Sequence, residues 1–291
     1  MFTNIVFSGG AVKGICYIGC IKYLQEHHLL RDVRNLVGAS VGSIFALLIC
    51  LDMGHEEIRD FAVHLLKCLK GVDIENILDI YNTLGINDAE DVMCCIRNLL
   101  EKKTKNPNIT FIEFGKKTGK NLVIAASNLI TRSIEFISVD THPDMSIATA
   151  IKASIAVPLL FQPVVYKDAI YVDAGLFSNT PYEYCKVHPF VDTLIIEICS
   201  KPKKADTTNL NLVDYVELFM QAIYMKLNTK KNLDSGKRVM IKFEDTSVFL
   251  GNISDDLTYQ IDPELFETFV KKGYDALDIS MSSDSCFTEH E

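Results

Sequence analysis

Ser40 stands inside Gly38-Ala39-Ser40-Val41-Gly42, between the apolar Leu36-Val37 and an apolar helical pattern. G-x-S-x-G at a strand-to-helix junction describes a sharp turn that exposes a serine hydroxyl above a sheet as a nucleophile. The flanking glycines are needed because a strained turn with a helix pressed against it leaves no room for Cβ atoms. Upstream, Gly9-Gly10-Ala11-Val12-Lys13-Gly14 follows the apolar Ile5-Val6-Phe7 and also opens a helical pattern. A glycine loop at a helix start presents free backbone N–H groups beside the positive end of a dipole. A serine nucleophile needs such donors, because attack on an ester creates an oxyanion. The two motifs together point to acyl-transfer chemistry at Ser40.

A serine hydroxyl also needs a base. The histidines are His27, His28, His55, His64, His142, His188 and His290, and none sits in a loop motif ending a core strand. His188, before Pro189, is the one histidine with any triad context. The other candidate is a carboxylate. Tyr171-Val172-Asp173-Ala174-Gly175 places Asp173 at the end of an apolar strand, ahead of small residues. Ligands in open α/β sheets sit at the carboxyl ends of strands. A desolvated aspartate there could serve as general base, or it could simply cap local N–H groups in a turn.

The elements that must position these groups alternate. Strand Asn4–Ser8 precedes the glycine loop and a helix from about Lys13 to His28; strand 36–38 precedes a helix from Val41 to about Met53. Strand–helix–strand–helix order argues for an α/β fold, a mostly parallel central sheet flanked by helices. Residues 54–120 carry helical periods with few strand signals and read as a helical insertion or cap. Within them, Thr110-Phe111-Ile112-Glu113 has capping-box spacing. The basic Lys102-Lys103-Thr104-Lys105 is either a solvated face or a meeting point for phosphate headgroups. Strands return over 121–130 and 133–139 around Thr131-Arg132, and over 164–166 and 169–173 around Lys167-Asp168, two hairpin patterns. A helix follows over 146–154, and 193–199 is a run suited to a buried central strand. An amphipathic helix is expected over 211–228, packing on the sheet or docking on lipid. Asp262-Pro263 starts the last helix as N-cap and N1. From Ser280 the tail is Ser- and acid-rich, with the composition of disorder. Residues 1–279 thus read as one catalytic domain and 280–291 as a tail.

At 291 residues and 48% hydrophobic, the chain can bury one sizeable core. With 29 basic against 38 acidic residues the net charge is −9, which gives no global basic field for nucleic acid or anionic membrane. Nine cysteines, an odd number in mostly apolar patterns, suit a reducing compartment. The absence of C-x-x-C argues against a zinc cluster. Residues 35–51 carry no charge, but they contain the serine turn and are short for a membrane span, so they read as a strand end and a buried helix. The start of the chain lacks the basic region and apolar run of a signal peptide. These features lead to the expectation of a cytoplasmic protein, peripheral at membranes if membrane-bound at all.

Four ordered blocks resemble the patatin-like phospholipase family. Gly9-Gly10-Ala11-Val12-Lys13-Gly14 resembles its oxyanion loop, G-G-G-x-[RK]-G, and Gly38-Ala39-Ser40-Val41-Gly42 its elbow. Residues 153–163, beginning Ala153-Ser154, resemble A-S-x-A-x-P-x-x-F-x-P; residues 171–181 resemble the strand carrying D-G-[GA] and a following N-x-P. Two departures are Ala11 in place of a third glycine and Ala174 beside the aspartate, either able to narrow the substrate channel. The resemblance implies a three-layer fold and a Ser40–Asp173 dyad. It implies an oxyanion hole from Gly9, Gly10 and Ala11, motif support from Lys13, Gly14, Gly38, Gly42 and Gly175, and no metal or cofactor. Lys13 would orient the loop, face a headgroup phosphate or lie solvated. The implied partner is a phospholipid or other acyl lipid met at a membrane surface, with no nucleic acid. Rival readings are an inactive lipid-binding relative, an ordinary α/β-hydrolase with a histidine triad, and a nucleotide-binding module. The last fits poorly, since the first loop matches neither G-x-x-x-x-G-K-[ST] nor G-x-G-x-x-G, and strand 2 ends in Gly38 rather than an acid.

Overall fold

The structure is a computed structural model that describes residues 2–68, 80–187, 192–200, 236–243 and 262–284, with isolated positions between 215 and 223. Its strands are β1 (Asn4–Phe7), β2 (Asn35–Ala39), β3 (Gly85–Asn87), β4 (Asn121–Asn128), β5 (Ser133–Ile137), β6 (Leu159–Phe161), β7 (Val164–Tyr166), β8 (Ala169–Val172), β9 (Thr193–Ser200) and β10 (Lys237–Phe243). The α-helices are α1 (Cys16–Glu26), α2 (Val41–Cys50), α3 (His55–Cys68), α4 (Ile80–Thr83), α5 (Glu90–Thr104), α6 (Phe111–Thr118), α7 (Ile147–Ile155), α8 (Tyr182–Val187) and α9 (Pro263–Asp284). The helix expected over 211–228 falls almost wholly outside the described residues.

The main sheet runs in the order β10-β9-β1-β2-β4-β8-β7, with β5 also paired to β4. From β10 to β4 every pairing is parallel. Helical connections of this kind bury both faces of a parallel sheet, which is why β1 is apolar throughout apart from Asn4. Alternate residues divide the core. Ile5, Phe7, Leu36, Leu122, Ile124, Leu194 and Ile196 join the large helix-covered cluster. Val6, Val37, Val123 and Ile195 face the other way, against Tyr182 and Tyr184 at α8. The result is a three-layer α/β arrangement around a mostly parallel sheet.

β4 organises the site. Residues 124–125 of β4 pair with both β2 and β5, and residues 127–128 pair with both β5 and β8. A strand has only two edges, so β2 and β8 must share the edge opposite β5. β2 runs parallel to β4 and its last residue, Ala39, pairs with Ala125. β8 runs antiparallel and its last residue, Val172, pairs with Ser127. The two strands therefore approach head-on, and the residues that follow them, Ser40 and Asp173, leave the sheet at the level of Ala126. Asp173 does follow a strand's carboxyl end, as its sequence context suggests, but that strand is antiparallel to β4.

Several element boundaries differ from expectation. The first helix begins as a 3-10 turn over Ala11–Ile15 before α1 takes over. α2 ends at Cys50 rather than near Met53. The 54–120 region holds α3 to α6, and it also contains β3, which pairs in parallel with β6. Many of its buried residues, including Ile58, Ala62, Ile96, Leu100 and Phe114, belong to the main core cluster. The capping box forms: Thr110 accepts from the Glu113 amide and Glu113 accepts from the Thr110 amide. α9 continues through Asp284, so helix replaces the start of the tail expected from Ser280. Its crossing with α1 is close because of Gly19 and Gly273: a Cβ on either would collide with backbone of the other helix.

Candidate active site

The turn after β2 puts Ser40 at φ 51° and ψ −129°, a strained conformation for a non-glycine residue. Three contacts hold it there. The Ser40 amide donates to Ser154 Oγ at 2.9 Å, and Ser154 Oγ in turn donates to the Ala125 carbonyl at 2.6 Å. The Ser40 carbonyl accepts from Ser43 Oγ at 2.6 Å. A Cβ on Gly38 would strike the Gly42 carbonyl and the Ser43 backbone, while one on Gly42 would strike the Phe7 and Ser8 carbonyls. The two motif glycines let α2 press onto its own strand and onto β1, as the strained-turn argument requires. Ser154 was quoted only as part of a motif block; its hydroxyl is the bracket between elbow and β4.

Asp173 is 4% exposed. Its amide donates to the Ala156 carbonyl at 2.8 Å, and its Oδ1 accepts from the Gly175 amide at 2.7 Å. That second bond is the local capping role a turn aspartate plays. Oδ2, however, is buried and has no hydrogen-bond partner of regular geometry. Burial pushes the carboxyl up to about 6, and the Ser40 hydroxyl and Gly175 amide, by favouring the charged form, hold it from rising further. The serine hydroxyl thus adjoins the carboxylate whose second oxygen remains open. Resting contacts between catalytic groups are commonly loose and tighten with substrate.

The glycine loop lies against the same place. A Cβ on Gly9 would come 3.1 Å from Ser40 Cβ and would collide with Asn179 Oδ1. Asn179 ties the loop on both sides: its carbonyl accepts the Gly9 amide at 2.9 Å and its Nδ2 donates to the Gly9 carbonyl at 3.1 Å. This corrects one expectation. The Gly9 amide is engaged by Asn179 and is not free to hold an oxyanion. The Gly10 and Ala11 amides have no hydrogen bond among the described residues, and both residues are half-exposed, as is Ser40. Ala11 sits at φ 47°, the left-handed region that a glycine would occupy at less cost.

The supporting residues also find places. Gly14 packs on the Val41 side chain, and Gly175 lies between Asp173 and Asn179. Lys13 is 7% exposed and donates to Ser200 Oγ at 2.9 Å, which ties the loop to the end of β9 and removes the solvated alternative. Ala174 is fully buried and packs with Ala39 and Ala125 in a small apolar cluster. Glu197, a buried acid in the apolar β9 run, accepts from Thr180, Tyr182 and Arg238 and so fixes the segment that carries Asn179. A buried carboxylate inside an otherwise apolar strand was the sequence signal for this anchor.

No described histidine hydrogen-bonds Ser40. The His142 ring reaches Thr141 and Tyr171, His55 reaches Gln25, and His27 reaches the Tyr23 carbonyl. His188 lies outside the described residues.

Residues 5–186 match the family model of the patatin-like phospholipases, and the chain belongs to that family. Among curated proteins it is similar to a probable lipid hydrolase, 463L, of Invertebrate iridescent virus 6, at 28% identity over 62% of this chain and 62% of that protein. The chain therefore spans about three fifths of that relative's length. It is also similar to YqhO of Bacillus subtilis, at 26% identity over 86% of this chain and 87% of the relative. Among solved structures, VipD from Legionella pneumophila shares the fold with a TM-score of 0.57 at 19% identity, covering 97% of this chain and 67% of that one.

Proposed function

We propose that this protein is a lipid acyl hydrolase of the phospholipase A or lysophospholipase type, working through a Ser40–Asp173 dyad. The observation that carries the proposal is the meeting of β2 and β8 on one edge of β4, which leaves the Ser40 hydroxyl beside a buried carboxylate with an open oxygen. Ser40 Oγ attacks the acyl carbonyl carbon while its proton passes to Asp173 Oδ2. The carbonyl oxygen becomes an oxyanion facing the Gly10 and Ala11 amides. Collapse of this intermediate breaks the ester bond, and Asp173 returns the proton to the departing alcohol. Water then gives a proton to Asp173 and attacks the acyl-enzyme; as the acyl–Oγ bond breaks, Asp173 returns that proton to Ser40 Oγ and the fatty acid departs. A carboxyl near pH 6 is ionised at neutral pH and still basic enough to accept the proton.

Substrate access has support of its own. Tyr81, Leu84 and Leu159 are 90%, 61% and 42% exposed, clustered where β3 and β6 pair. Leu84 and Leu159 both adopt left-handed backbone, φ 60° and 69°, an unfavourable choice for exposed leucines without a use. β6 follows directly on the segment whose Ala156 carbonyl holds Asp173. This lip suits acyl chains and a transient membrane surface, and no described helix is long and apolar enough to cross a membrane.

Hydrolysis of a short-chain ester and of phosphatidylcholine vesicles by wild type and Ser40→Ala tests the reading. Wild type is expected to release fatty acid and Ser40→Ala to fall by about 10⁴-fold or more. Equal rates would overturn it. Binding of vesicles with no turnover would favour the inactive lipid-binding relative.

A further inference from the structure

The apolar helical layer holds a group of ligating side chains that the dyad does not use. His64 and Cys68 lie four residues apart on α3, so their side chains share one face of the helix. Cys95, buried on α5, meets them from the neighbouring helix. Cys95 Sγ lies 3.0 Å from Cys68 Sγ, and Cys68 Sγ lies 3.9 Å from His64 Nε2. The three ligand atoms all fall within 4.8 Å of one another. We propose that His64, Cys68 and Cys95 form a binding site for a thiophilic divalent cation, Zn²⁺ being the ion that fits them best.

Coordination chemistry sets the scale. Zn–S bonds of about 2.3 Å and Zn–N bonds of about 2.0–2.1 Å at tetrahedral angles place the ligand atoms roughly 3.5–3.8 Å apart. The observed 3.0 and 3.9 Å bracket that spacing, and the remaining pair, His64 with Cys95, lies within 4.8 Å. Two thiols and one imidazole are a soft donor set, which favours Zn²⁺ over Mg²⁺ or Ca²⁺. The burial gradient also fits: Cys95 is buried, Cys68 half-buried and His64 exposed, which leaves the fourth position open to water. Binding displaces the thiol protons to solvent as the Zn–S bonds form, with no change of oxidation state.

No local pattern marks this group, because Cys68 and Cys95 are 27 residues apart and no C-x-x-C motif joins them. The ion would pin the last residue of α3 to α5, a structural link between helices that contribute nothing to the dyad. Ester hydrolysis at Ser40 therefore does not depend on it, and the two proposals can fail separately.

The test uses the full chain under a phosphine reductant, titrated with Co²⁺ and then Zn²⁺. One Co²⁺ per chain is expected, with thiolate-to-cobalt charge transfer and the intense visible bands of a tetrahedral site, displaced by Zn²⁺. Cys68→Ser and Cys95→Ser should each weaken binding by at least about tenfold, and His64→Ala by a similar factor. Cys94→Ser, at the exposed neighbour of Cys95, should bind as wild type does. Zn²⁺ should raise the melting temperature of wild type and leave that of Cys68→Ser unchanged. Circular dichroism of each variant separates lost ligands from lost fold, and His64→Ala, at an exposed position, keeps the test valid should Cys95→Ser fail to fold. Absence of cobalt uptake by the reduced, folded chain would overturn the proposal. So would uptake that survives both Cys68→Ser and His64→Ala.

Discussion

The two halves of the proposed dyad are held by opposite means. Ser40 is positioned by backbone: φ 51°, two glycines with no space for a Cβ, and bonds from Ser154 and Ser43 to its own amide and carbonyl. Asp173 is relaxed, at φ −46° and ψ 136°, and is set apart by burial, with one oxygen tied to Gly175 and the other left open. Strain fixes where the Ser40 hydroxyl points, whereas desolvation fixes how basic the Asp173 carboxylate is. Mutations at the first end should therefore damage geometry and stability together. Mutations at the second should separate activity from stability.

The widest separation is expected for Asp173→Asn. Turnover should fall by about 10³–10⁴-fold, the loss of a general base together with its electrostatic role. Stability should move the other way. With a folded pKa of about 6 against an ordinary 3.8, the native state keeps the Asp173 proton longer than the unfolded chain does. This residue's contribution to stability therefore falls as pH rises from about 4 to about 6 and stays lost above that. Asp173→Asn should accordingly be more stable than wild type by on the order of 3 kcal/mol at pH 8, with no gain near pH 4. Urea melts at the two pH values measure it, and a destabilised variant at pH 8 would break the contrast.

At the other end, Gly38→Ala should lose activity and about 2–3 kcal/mol of stability together, because its methyl group meets backbone that cannot yield. Ser154→Ala sharpens the same point on a smaller scale. Removing the bracket leaves the part-buried Ser40 amide without its acceptor, at a cost of about 1 kcal/mol, and lowers turnover with little change in KM. The smallest effect is expected at the lip. Leu84→Asp should lower the ratio of vesicle to soluble-ester rates by about tenfold, since one exposed leucine contributes roughly 1.5 kcal/mol when it enters an apolar phase.

The legible parts of this molecule were those set by local pattern. The elbow, the glycine loop, the Asp173 strand end and the Thr110 capping box all rest on spacings within a few residues. What stayed hidden depends on pairing between distant segments. No local signal says that β8 runs antiparallel into the end of β2, nor that the Asn179 carbonyl captures the Gly9 amide. Lys13 was ambiguous because its burial depends on Ser200, far along the chain. The β3–β6 pair escaped notice because each strand is three residues long, too short for a period to show. The last helix outran its expected end because Ser280 to Asp284 extend a helix already packed on α1.

The measurement closest to the central claim is the rate at which a fluorophosphonate probe labels Ser40 as a function of pH, in wild type and Asp173→Asn. The wild-type rate should climb about tenfold per pH unit below a single titration near 6 and level off above it, as an ionised Asp173 takes the serine proton. Asp173→Asn should label at least about 10³-fold more slowly, with that titration gone. Labelling of Asp173→Asn at the wild-type rate, with the same pH profile, would show that another base serves Ser40.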